Sequence, residues 1–493
     1  MKEIEKKPIE KSEKTFHIGL MGHIDAGKTM VASRLTEVIS TAGLDKHDQA
    51  KRRGITIDMG FTFFRLKNHL VTIVDAPGHS DLIQSVISCA NIIDLGVLVV
   101  DATKGVQVQT GEHLIILNSL DIPYLFILIN KIDIASPMQV EKTKKELQRV
   151  IKGTSFENNY EIFSVSAKED KGFELVRQNL LEYIVSHPPQ RDVDKEFNYL
   201  IDHHFVKKGF GTIFTGTVLS GRVQKGDVVR LLPQNIEGQI KSIQKAKKSV
   251  EGAKAGDRCG IAVSKLKKAD IHRGSLLTDH KDAFTKSQIL EVEIHEDPHF
   301  KPLCKFGQQI TINHYMRDIN ARIFPYTLID VQGKQYKVKY SPKKDVKTYH
   351  AYLWLEEFEY FKRQDKLLLS RLDLDPSSLR IMGVGTILKF QDPPLKLHKV
   401  REKTGRVQNP TYTQNSVIAE SLVESKKGGK AIEGLRAEPP FGMIKGSFGQ
   451  GGKVEVEVSE DLPEEKRNQI KKGDEIILRI IREFEIKPNT SYK

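Results

Sequence analysis

The sequence predicts a multidomain protein: an α/β P-loop domain at the start, β-barrel domains after it, and a β-rich domain at the C-terminal end. Three observations predict this. The chain has 493 residues, too many for one hydrophobic core and enough for two to four. "GLMGHIDAGKT" sets a G-x-x-x-x-G-K-T pattern, Gly22 to Thr29, between an apolar stretch and an amphipathic one. Later segments such as "LIDHHFVKKGFGTIFTG" are strand-like and punctuated by glycine, as barrel walls are. The expected divisions are residues 1–194, 195–286, 287–388 and 389–493.

Composition narrows the class. With 39% hydrophobic and 29% charged residues the chain reads as globular. The longest apolar runs, "LGVLVV" and "YLFILI", are too short to cross a bilayer, and "MKEIEKKPIEKSEK" lacks the apolar centre of a signal peptide. A cytoplasmic protein with no membrane partner is expected. Cys89, Cys259 and Cys304 lie far apart with no C-x-x-C pair, which argues against a disulfide framework or a zinc knuckle. The net charge of +13 is uneven: residues 1–194 hold 24 basic and 26 acidic side chains, 195–388 hold 33 and 22, and 389–493 hold 20 and 16. The positive excess in the middle is either a solvated face or a surface for RNA.

The first domain is justified piece by piece. "FHIGLM" reads as a strand, and in "MVASRLTEVIS" Val31, Leu35, Val38 and Ile39 share one helical face, giving strand, loop, helix. The loop through Asp25, Ala26 and Gly27 turns backbone N–H groups toward phosphate oxygens, Lys28 reaches the β- and γ-phosphates, and Thr29 ligates Mg²⁺. Then "RRGITID" offers Thr56 for the γ-phosphate and Mg²⁺. "LVTIVDAPGHSD" brings Asp75 for the metal's water shell, Gly78 for the γ-phosphate, and His79. "LFILINKID" ends a strand in Asn130, Lys131 and Asp133, and "IFSVSAK" ends another in Ser166, Ala167 and Lys168. Asp75 and the last two sets follow the carboxyl ends of strands, where open α/β sheets bind ligands. The Asp133 carboxylate accepts from both the ring N–H and the exocyclic amine of guanine, a pair adenine lacks, while the Ala167 N–H donates to guanine O6. His79 is read as the residue that aligns the attacking water. The ordered set describes an α/β P-loop GTPase domain using GTP and GDP with Mg²⁺.

"GHIDAGKT", "RGITID", "DAPGHSDLI", "NKID" and "SAK" resemble translational GTPases of the elongation-factor-Tu group. "FNYLIDHHFVKKGFGTIFTGTVLSGRVQKGDVVRLLP" is similar to the start of that group's second-domain barrel, and the group's two barrels clasp aminoacyl-tRNA. Within the group, "GLDKHDQAKRRGITIDMGFTFF", "IDHHF", "GDRCGIAV" and "FGMIKGSFGQGGKVEVEV" resemble the selenocysteine-specific branch in its archaeal and eukaryotic form. Ala26 stands where many members carry histidine, a departure that leaves the phosphate cradle intact. The resemblance implies a monomer that carries selenocysteinyl-tRNA to the ribosome, with the messenger recoding hairpin, or a protein that binds it, as a further partner. No winged-helix array is evident, so the bacterial mode of reading that hairpin is not supported. Two alternatives remain inside translation, a general elongation factor and an initiator-tRNA-binding γ subunit. The extra C-terminal unit and the pocket below argue against the first, the missing cysteine cluster against the second. A ribosome-associated regulatory GTPase that carries no tRNA is a third.

The resemblance also implies that Asp202, His203 and Arg258 line the pocket for the amino-acid side chain. A selenol is more acidic than a thiol and is largely anionic near neutral pH, whereas serine, carried by the precursor form of the same tRNA, is neutral. Cationic donors on His203 and Arg258, with Asp202 favouring the charged imidazole, would accept the anion and lose their partner with serine, a difference worth as much as ~10⁴-fold. His204, next along the strand, is expected to point the other way. Farther on, Lys396, Lys399, Arg401, Lys403 and Arg406 form either an RNA contact or a solvated linker.

Overall fold

The computed structural model describes residues 14–36, 60–66, 68–75, 93–207, 211–246, 248–266, 272–331, 333–375, 377–413, 415–449, 451–459, 463–487 and 490. The chain forms two compact units, residues 1–323 with 342–392, and residues 324–341 with 393–493.

The first unit begins with β1 (Lys14–Gly22), α1 (Lys28–Leu35), β2 (Gly60–Leu66), β3 (His69–Asp75), β4 (Leu95–Asp101), α2 (Val108–Ser119), β5 (Leu125–Asn130), α3 (Pro137–Ile151), β6 (Tyr160–Ser164) and α4 (Phe173–Ser186). The six strands make one sheet in the order β2-β3-β1-β4-β5-β6, parallel except for β2. β4 and β5 are buried at every position, which is why they read as unbroken apolar runs rather than alternating ones. Along β1 the period of two sends Phe16, Ile18 and Leu20 toward α1 and α4, while Met21 joins the core on the other face. The strand order reverses at β1, whose neighbours are β3 and β4, so the crevice for a ligand opens at its carboxyl end, where the phosphate loop lies. α1 ends at Leu35; Val38 and Ile39 fall outside the described residues.

The barrel follows: β7 (Asn198–Lys207), β8 (Gly211–Ser220), β9 (Arg222–Gln224), β10 (Val228–Leu232), β11 (Ile236–Lys245), β12 (Lys248–Val250), β13 (Gly252–Lys254), β14 (Arg258–Val263) and β15 (Leu276–Thr278). The order β10-β15-β7-β8-β14-β11 closes through pairing of β10 with β11, leaving no open edge in that ring. Tyr199, Phe214, Val229, Leu231 and Ile261 fill its interior. The next strands are β16 (Thr285–Glu296), β17 (Gln308–His314), β18 (Arg317–Val331), β19 (Lys334–Lys339), β20 (Thr348–Phe361), β21 (Lys366–Ser370) and β22 (Ile381–Gln391). In the first unit β16 pairs antiparallel with β20 and β22, and β21 with β17 and β22.

The second unit gathers β23 (Lys396–Thr413), β24 (Ser416–Glu420), α5 (Lys426–Ala431), β25 (Phe441–Phe448), β26 (Lys453–Val458), α6 (Glu464–Arg467) and β27 (Glu475–Glu485) around Val417, Ile444, Val456, Ile476 and Leu478. Residues 324–341 cluster here because the hairpin of β18 and β19 continues into β23, with Val338 beside His398 in a parallel pairing.

Candidate functional site

The loop after β1 is shaped by main-chain contacts. Gly27 caps α1 with φ 90°, and a Cβ there would lie 2.5 Å from Asn130 Nδ2, so only glycine fits without strain. Lys28 is buried, its Nζ donating to Gly22 O at 3.0 Å and His23 O at 3.1 Å. Asn130, also buried, donates from Nδ2 to Ala26 O and accepts on Oδ1 from the Ala167 N–H, both at 2.9 Å. One side chain thus ties the loop after β1 to those after β5 and β6. Arg34 Nε adds a bond of 2.7 Å to Ala167 O.

Asp133 is half-buried, and the Ser166 hydroxyl that donates to it at 2.7 Å holds its carboxyl below the usual range. Lys131, in the left-handed region, pairs with Asp101 at 2.8 Å. Asp25 is left-handed too, Thr29 opens α1, and Lys168 is exposed beside Ala167. Asp75 ends β3 in register with Leu20. Thr56, Gly78 and His79 lie outside the described residues. A residue that no motif signalled is His113 on α2, whose Nδ1 accepts from the Gly22 N–H at 3.0 Å.

A second cluster forms on the barrel. Between β7 and β8 the register slips at Asp202: Ile201 faces Gly216 and His203 faces Thr215, leaving Asp202 as the extra residue of a β-bulge. In a regular strand Asp202 and His203 would point to opposite faces; the bulge lets His203 Nδ1 meet Asp202 Oδ1 at 2.9 Å. Arg258 pairs with Asp202 through both terminal nitrogens, and Thr215 Oγ1 donates to Asp202 Oδ1 at 3.0 Å. Burial alone would raise the Asp202 pKa; the Arg258 charge and the bonds from His203 and Arg258 outweigh it and hold the carboxyl below its usual range. The three residues taken from the sequence are therefore brought together, and Thr215 is an addition that alternation could not identify.

Arg258 faces a cavity of about 230 Å³ lined by Phe63, Leu70 and Thr72 of the first domain and by Phe205, Ile213 and Gln244 of the barrel, among others. His17 Nε2 donates to Gly256 O at 2.8 Å, tying these two walls together.

The C-terminal basic residues divide by face. β23 and β27 run antiparallel from Lys396 opposite Glu485 to Arg406 opposite Glu475. One face pairs its charges, Lys396 with Glu483 at 2.8 Å and Arg479 with Glu402 at 3.1 Å. The other sets Lys399 opposite Arg482 with Arg401 two residues along, and Lys339 of β19 stands next to Lys399. Burial, then the Lys399 charge, lowers the Lys339 pKa.

Residues 13–190 match the Elongation factor Tu GTP binding domain and 211–278 match Elongation factor Tu domain 2. Residues 289–391 match domain III of the archaeal selenocysteine-specific elongation factor, and 393–479 the eEFSec C-terminal RIFT domain. The chain is 36% identical over 482 residues to the selenocysteine-specific elongation factor of Methanocaldococcus jannaschii, covering 97% of this chain and 99% of that protein. The chain belongs to the selenocysteine-specific elongation factors. It is 31% identical to the mouse member over 529 residues, 92% of this chain and 89% of that one. The crystal structure of translation elongation factor SelB from Methanococcus maripaludis with the GTP analogue GppNHp superposes with a TM-score of 0.81 at 31% identity, covering 95% of this chain and 98% of that chain. As a selenocysteine-specific elongation factor the chain is a GTP-dependent translation factor whose first domain hydrolyses GTP to GDP, with Mg²⁺ as the metal of the reaction. Among the described residues no helix is long and apolar enough to cross a membrane.

Proposed function

We propose that the chain carries selenocysteinyl-tRNA to the ribosome in its GTP form and releases it on hydrolysis. The observation that carries this reading is the cluster of Asp202, His203 and Arg258 beside a cavity closed by two domains. Arg258 and His203 receive the ionised selenol, and Asp202 orients both. Seryl-tRNA offers no anion there, so it binds without the charge contact that the selenol makes with Arg258. The test compares selenocysteinyl- and seryl-tRNA binding to the GTP-analogue form. Wild type should prefer the first by about a hundredfold or more, and Arg258→Ala should erode the preference. Equal affinity of wild type for both would remove the reading.

In the nucleotide site Asp25, Ala26, Gly27 and Lys28 hold the phosphates, with Gly78 on the γ-phosphate. Asn130 and Lys131 frame the guanine that Asp133 reads, and Ser166, Ala167 and Lys168 close over it. The Ala167 N–H reaches guanine O6 in common with Asn130 Oδ1. Thr29, Thr56 and Asp75 would hold Mg²⁺, two hydroxyls and a carboxylate being the hard oxygen donors that ion takes, and the metal would supply charge neutralisation at the phosphates. His79 aligns the attacking water: His79→Ala should keep GTP binding and lose ribosome-stimulated hydrolysis, and full stimulated turnover would contradict the role.

The face bearing Lys399, Arg401 and Arg482 contacts RNA, either the tRNA or the messenger recoding hairpin, because like charges set in register repel until a polyanion covers them. In the tRNA titration, Lys399→Gln with Arg482→Gln should lower the salt slope by about two. An unchanged slope assigns this face to the hairpin arm, tested with that RNA alone. The working form is a cytoplasmic monomer of four domains, 1–194, 195–286, 287–388 and 389–493.

A further inference from the structure

Helix α2 is buried on two sides, and two consecutive residues serve the two sides. Successive helical positions are turned by about 100°, so Glu112 and His113 face different neighbours. Glu112 Oε1 accepts from the backbone N–H of Arg380 at 3.1 Å and from its Nε at 3.3 Å, just ahead of β22. Both side chains are buried, 2% and 5% exposed, which is an expensive place for charge unless the pair is kept. Burial holds the Glu112 carboxyl above its usual range despite Arg380.

His113 faces a different neighbour, the turn from β1 to the phosphate loop. Burial, then the Lys28 and His23 charges, pushes it down to about 3, so the ring is neutral and its Nδ1 is the acceptor for the Gly22 N–H. Gly22 is fixed on three sides: by His113 at its N–H, by Lys28 at its carbonyl, and by Val99 O, which a Cβ would approach to 2.2 Å. A small displacement of α2 therefore moves the backbone from which the phosphate loop starts, and moves the Lys28 anchor with it.

We propose that His113 is a positioning residue for the phosphate loop, and that Arg380 of the third domain sets nucleotide release through Glu112 and His113. The interaction is independent of which aminoacyl-tRNA is carried. It predicts that GDP and GTP leave faster when the third domain loses its hold on α2, although Arg380 belongs to none of the nucleotide motifs.

The experiment measures release of fluorescent GDP and GTP analogues from the full chain by stopped flow. Five proteins are compared: wild type, His113→Ala, His113→Asn, the pair Glu112→Leu with Arg380→Met, and that pair together with His113→Ala. An apolar pair of similar volume keeps the core filled without burying a lone charge. His113→Ala should speed GDP release about tenfold, and His113→Asn, which restores an acceptor, should recover much of that. The apolar pair, which also takes the acceptor from the Arg380 N–H, should speed release about threefold, and should add nothing once His113 is alanine. Should the pair lower the melting temperature, Arg380→Lys, which keeps charge and loses the Nε donor, reads the same effect. Unchanged release in the third-domain variants, or an effect that multiplies in full with His113→Ala, overturns the proposal.

Discussion

The nucleotide site and the barrel pocket are held by different kinds of bond. Around the phosphate loop, Lys28, Asn130 and Arg34 each grip backbone carbonyls, so the site's shape is a property of the main chain. In the barrel, one buried carboxylate collects His203, Thr215 and Arg258, so the pocket's character is a balance of side-chain charges. The first should fail through geometry and the second through electrostatics. Each should fail without the other.

The sharpest way to break that contrast is Gly27→Ala. The change places a methyl group at a φ of 90° and within 2.5 Å of Asn130 Nδ2, straining the backbone and displacing the amide that ties three loops together. GTP and GDP affinity should fall by about a hundredfold in an equilibrium titration, while hydrogen exchange around Asp202 and Arg258 stays as in wild type. Affinity within a few-fold of wild type would show that side chains, not main chain, define the nucleotide site.

The same contrast explains what was legible beforehand. A loop built from backbone needs glycine at fixed places and one lysine nearby, and such requirements appear as contiguous strings: Gly22 to Thr29, then Asn130 to Asp133. The parallel strands behind them were visible as apolar runs because β4 and β5 are buried on both faces. Asp202, His203 and Arg258 were reached only through a resemblance, since Arg258 is 56 residues from Asp202 and strand alternation separates Asp202 from His203. The bulge that reunites them has no signature in the local residues. Thr215 and His113 were missed for the same reason: each is an ordinary member of its strand or helix, and its partner is fixed only by tertiary packing. The grouping of 324–341 with the C-terminal residues depends on a parallel pairing between strands distant in sequence.

A smaller effect sharpens the electrostatic half. Asp202→Asn preserves shape and removes the charge, leaving Arg258 largely buried without its counterion. The barrel should lose about 2 kcal/mol, less than a fully enclosed pair would because Arg258 keeps some contact with water. The cost should depend on pH in a definite direction. The Asp202 carboxyl titrates below its ordinary value of 3.8 in the folded protein, so the wild-type advantage is fully present above that value and drains away as pH falls through the lower folded one. Hydrogen exchange in β7 and β14, corrected for intrinsic rates, should show a constant gap between wild type and variant above about pH 5 and a narrowing gap below pH 4. GTP affinity at neutral pH should be the same in both proteins. A gap that persisted undiminished in acid would assign the loss to packing rather than charge, and the pocket would then be held by geometry, as the nucleotide site is.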